Sequence, residues 1–209
     1  MKNRPRDKKA GIIILAALII ISLAEVIFRA VTMGLEATST SNFGEQLIVI
    51  ALAVSILILT AKGKDRACYI CYGAWAGYFV LDMLFELPSM LLTWFTQKPS
   101  TTLIAYLGDI TLYLHTLSMV TIIAIGVLLV EYLNDGTIHN KAFNGLCIAT
   151  ITMLAVAIIL SMVVVISGSP RIFILTAFNC TYRLAMVFLL SFFAYDSAKM
   201  QLERTKLSK

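Results

Sequence analysis

Six apolar stretches divide this chain, at about residues 11–32, 44–61, 67–95, 101–133, 142–167 and 172–195. A bilayer core about 30 Å thick needs roughly 20 apolar residues of helix per crossing, and each stretch reaches or approaches that length. None alternates in the manner of a barrel strand, whose lipid-facing and lumen-facing residues change places over about ten residues. Hydrophobic residues make up 59% of the chain and charged ones 14%, against about a quarter charged in ordinary soluble domains. The expectation is an all-α integral membrane protein: a six-transmembrane-helix bundle over residues 11–195, flanked by basic tails at 1–10 and 196–209.

The placement of Lys and Arg predicts the orientation. Thirteen fall in the N-terminal tail, the 62–66 loop, the 134–141 loop and the C-terminal tail, whereas Arg29, Lys98 and Arg171 fall on the other side. Basic residues concentrate on the cytoplasmic side of membrane proteins, so both termini are expected in the cytoplasm, most simply at the cell membrane. The net charge of +5 is thereby a topology signal, and nucleic acid is excluded as a partner. The first stretch begins with basic residues, yet its apolar run continues past Glu25 with no small-residue cleavage pattern. It therefore reads as a retained helix.

Ionisable residues inside the spans are the candidates for function, because a charge near mid-bilayer costs about 2.5–3.5 kcal/mol on insertion scales. The third span carries Asp82 and Glu86 within GYFVLDMLFELP. On a helical wheel they share a sector with Cys68, Tyr72, Trp75 and Tyr78. The opposite side holds Gly73-x-x-x-Gly77, a spacing that admits a neighbouring helix backbone, so this helix is expected at the centre of the bundle. Pro88 predicts a kink or stop just past Glu86, with residues 89–96 running along the outer interface.

The first span pairs Glu25 with Arg29 at i,i+4. The fourth places Asp109 with Tyr106 and Tyr113 on one side and His115 on the other, where a lone histidine reads as an ordinary core residue. The sixth carries Asn179 and Arg183. The second and fifth, without interior charges, are expected to face lipid. At 1.5 Å per residue, Glu25, Asp82, Asp109 and Asn179 fall in one layer of the outer half, with Arg183 about a turn deeper and Glu86 near the outer surface. The four acids against Arg29 and Arg183 leave an excess of negative charge. That excess predicts a water-accessible, acidic cavity open to the outside, or one or two protonated carboxyls.

Glu25, Tyr78, Asp82, Glu86, Tyr106, Asp109, Tyr113, Asn179 and Arg183 are therefore the expected ligand-binding residues. Arg183 would receive a carboxylate, an acid an ammonium, and the aromatic rings would form walls. No catalytic residue, cofactor or metal is expected: the chain has no HExxH, nucleophile elbow or second CxxC beside Cys68 and Cys71. The function expected is binding of a small zwitterionic or cationic solute by a transporter or its substrate-capturing subunit. In size, helix number and termini the chain resembles the substrate-binding subunits of energy-coupling-factor vitamin transporters. It departs from their alanine-xxx-alanine motif, because Ala16 and Ala17 are followed four residues later by Ile20 and Ile21. In outline it also resembles the six-helix input domains of sensor kinases, which implies a sensor that signals through its sixth helix. The partners to expect are the lipid bilayer, a small-molecule ligand, and a cytoplasmic or membrane protein. An intramembrane enzyme, with Asp82 and Glu86 as acid and base, is the remaining alternative.

Overall fold

The computed structural model describes residues 5–33, 40–62, 65–96, 101–135, 140–167 and 172–207. It is all helix: α1 (Pro5–Met33), α2 (Thr40–Ala61), α3 (Asp65–Thr96), α4 (Leu103–Asp135), α5 (Asn140–Ile166) and α6 (Ile172–Leu207). In hydrocarbon every backbone N–H and C=O must be satisfied within the protein, and a helix does this within each segment. Hydroxyls in the apolar runs follow the same rule by bonding back one turn, as Thr111 does to the Leu107 carbonyl and Thr150 to that of Leu146. Among the described residues, five helices (α1, α3, α4, α5 and α6) are long and apolar enough to cross a membrane, consistent with a helical membrane bundle. The apolar part of α2 is shorter, Gln46–Ala61.

Each helix packs on its neighbours in sequence, and α1 returns to α6, closing the ring. The central helix is α6, not α3 as the charge pattern of the third span predicts. Among the described residues it alone touches four others: α1, α3, α4 and α5. α3 is the least buried of the five long apolar helices. It turns Cys68, Tyr72, Trp75, Ala76, Phe79 and Met83 inward, while Gly73 and Gly77 lie on its open side, where an added Cβ would meet nothing within 4 Å. The close helix approaches use other glycines. A Cβ at Gly126 of α4 would stand 2.6 Å from Val80 of α3, and one at Gly108 would stand 2.7 Å from Phe173 of α6.

Pro88 does not end α3, which runs on to Thr96. A proline in a helix removes only one ladder donor, and a membrane helix tolerates this where neighbours compensate. Here Leu87 and Met90, on either side of Pro88, pack against the core and hold the helix in place across the missing bond. Residues 89–96 continue the same helix. α5, expected on the lipid side for want of charge, packs on both α4 and α6. One of its contacts to α4 is a hydroxyl pair, Thr150 Oγ1 and Thr121 Oγ1, 2.7 Å apart.

Candidate functional site: a buried arginine between three helices

Arg183 projects from the middle of the apolar part of α6, Phe173–Phe192, and is 3% exposed. A guanidinium keeps its proton at any ordinary pH, so in hydrocarbon it requires a counter-charge. Glu86 of α3 supplies one: Arg183 Nη2 donates to Glu86 Oε2 at 2.6 Å, the short distance of a charge-assisted bond. The pair is uneven, since the arginine side chain is 4% exposed and the glutamate 42%. Asp82, one turn before Glu86 and half-buried, also lies close enough to feel the Arg183 charge. Glu86, expected near the outer surface, thus reaches a buried partner on another helix.

The other edge of the guanidinium is different. Nη1 of Arg183 is buried and has no hydrogen-bond partner among the described residues. His115 of α4 lies within electrostatic range of Arg183 and is 3% exposed, and neither of its ring nitrogens has a partner. Buried polar groups are nearly always hydrogen-bonded, and the exceptions tend to mark a site, an ion or an ordered water. Ser22, Gln46, Trp75, Trp94 and Ser161 also carry unpaired buried polar atoms among the described residues, but Arg183 and His115 combine a fixed charge with an imidazole on helices that touch. Tyr182, beside Arg183, meets Phe79 of α3 edge-on, with ring centroids 5.9 Å apart and planes at 84°, forming an aromatic shoulder to the cluster.

The sequence-predicted layer divides in two. Arg183, Glu86 and Asp82 come together between α3 and α6. Glu25, 1% exposed, is held elsewhere: Arg29 Nε and Nη2 donate to its Oε1 at 2.9 and 2.6 Å, and Gln46 Nε2 donates to its Oε2 at 3.1 Å. Both of its oxygens are engaged, so this acid ties α1 to α2. Asp109 is buried on α4 and Asn179 half-buried on α6. Tyr78, Tyr106 and Tyr113 are exposed rather than enclosed, and Tyr113 meets Trp94 edge-on at 4.8 Å. Residues of α4 expected on opposite faces, Asp109 and His115, are both buried because α4 is wrapped by α3, α5 and α6.

His115 is the member that sequence reasoning passed over. Its signal was present: it lies at helical spacing from Gly108, Thr111 and Ser118, and all four are buried on the tightly packed side of α4. Among the described residues no group of three or more His, Cys, Asp or Glu side chains could hold a metal ion. In comparisons with models of protein families, with curated proteins and with solved structures, nothing matches this chain.

Proposed function

We propose that this chain is a polytopic membrane protein that binds a small zwitterionic solute at the Arg183–Glu86–Asp82 cluster, as a transporter or its substrate-capturing subunit. In this reading all six helices cross the cell membrane, both termini lie in the cytoplasm, and the cluster opens to the outside. One observation carries it: a buried, permanently charged guanidinium keeps one edge on Glu86 while Nη1 stays unpaired. That free donor asks for an anionic group, and half-buried Asp82 nearby offers a seat for an ammonium. A zwitterion satisfies both, whereas a simple cation leaves Nη1 as it is.

The test is a thermal-shift screen of detergent-purified protein against amino acids, amines and vitamins, repeated with Arg183→Ala. At least one zwitterion should raise the wild-type midpoint, and the substitution should remove that rise. If no compound shifts the wild type, or every shift survives Arg183→Ala, the proposal fails. A second reading, a sensor module, draws on α6. This helix carries Arg183 and continues to Leu207, so its 36 residues extend about 54 Å, well beyond a bilayer core of about 30 Å. Uptake of the same solute into proteoliposomes supports transport. Binding without uptake, with output lost on removing residues 199–209, supports sensing.

A further inference from the structure

We infer that His115 and Arg183 together form the carboxylate-binding end of this site, so that the solute is an amino acid with a free carboxylate held between α4 and α6. The inference rests on the solute-binding reading above and adds a residue and a ligand group to it. Two buried polar groups stand unpaired on touching helices, Nη1 of Arg183 and the imidazole of His115. Each residue is 3% exposed, so bulk water does not satisfy either one. They stand on α4 and α6, which pack together, and no hydrogen bond joins them.

An imidazole presents an N–H in either tautomer, and a guanidinium edge presents only N–H groups. The group that joins two such donors is an acceptor with two oxygens on one centre, and a carboxylate has that form. Glu86 contributes by holding Nη2, which orients the guanidinium and leaves Nη1 as the edge turned to the ligand. Gly108, about two turns before His115, lets Phe173 of α6 press directly onto α4, and so helps keep the two donors on adjoining backbones. A site built from hydrogen-bond donors strongly rejects an analogue that lacks the matching acceptor, because its own buried groups are then left unmade. The recognition element is therefore the charged carboxylate, and its amide is a poor substitute.

The chain contains two histidines, His115 and His139, so one substitution isolates the reporter. Protein labelled with ¹⁵N-histidine and carrying His139→Gln is titrated with each proteinogenic amino acid that shifts the wild-type midpoint, and with its C-terminal amide. The ring ¹⁵N signals of His115 should move saturably with the free amino acid. The amide should bind about tenfold more weakly or worse. His115→Leu should keep or raise the unliganded midpoint, since it removes an unpaired buried polar group, while losing about tenfold or more in affinity. His115→Gln retains an N–H donor and should keep most of the binding. Ring signals that stay still under an amino acid whose thermal shift depends on Arg183 overturn this inference and leave the proposed function standing. So does unchanged affinity in His115→Leu. If no amino acid shifts the wild type, both are overturned together.

Discussion

Removing the two halves of the Arg183–Glu86 pair should have unequal consequences, because the halves are unequally buried. Glu86→Gln leaves a guanidinium that is 4% exposed without its hydrogen-bonded counter-charge. Breaking a buried pair in this way costs about 3–5 kcal/mol. Attraction to nearby Asp82 offsets part of that, so a loss of about 3 kcal/mol is expected. Arg183→Met leaves Glu86, whose side chain is 42% exposed and so already reaches solvent or headgroups. Discounted for that exposure, its loss is about 1 kcal/mol or less. The double variant then contains no stranded cation and should be more stable than Glu86→Gln alone, by about 2 kcal/mol. Reversible unfolding in mixed detergent micelles, followed by helical circular dichroism, measures all three variants against the wild type. Equal losses for the two single variants, or a double variant less stable than Glu86→Gln, would refute the reasoning. Either result would mean that the arginine is solvated in the membrane-embedded protein and does not depend on Glu86.

Glycine substitutions should separate the true helix contacts from the apparent one. Gly126→Ala drives a methyl into Val80 and should cost about 1–3 kcal/mol, with Val80→Ala restoring most of the loss. Gly73→Ala and Gly77→Ala meet open space and should stay within about 0.5 kcal/mol of wild type, so a large loss at either would mean that this face packs against a partner. At the α1–α2 contact, Gln46→Leu removes one donor from Glu25 while Arg29 remains in place. It should cost about 1 kcal/mol in the same unfolding assay, and no measurable loss would show that the bond contributes nothing to stability.

Much of the architecture was legible along the chain because a membrane imposes one-dimensional rules. Span length follows from bilayer thickness, and the helical state follows from the need to satisfy the backbone locally. The pairing of Glu25 with Arg29 was legible for a related reason: residues four apart on a helix are neighbours whatever the rest of the fold does. As a stop signal Pro88 misled, because the rule for proline describes a helix in isolation, while here the core contacts of Leu87 and Met90 flank it and α3 runs on to Thr96. The glycine pattern on α3 misled because its spacing marks a surface able to pack closely without specifying a partner, and Gly108 and Gly126 hold that role within the chain.

The sequence by itself determined that the chain is a set of apolar helices with costly charges inside them, because hydropathy and helical periodicity are properties of neighbours along the chain. Only the tertiary structure decided which charges meet. It gave Glu25 to α2, brought Glu86 to Arg183 across 97 residues, and left His115 and Nη1 unpaired on touching helices. The physical reason is that a helix wheel fixes angles about one axis, whereas an ion pair between helices depends on their relative rotation, height and separation. Those three quantities are set by the fit of side chains such as Val80 against Gly126 and Phe173 against Gly108.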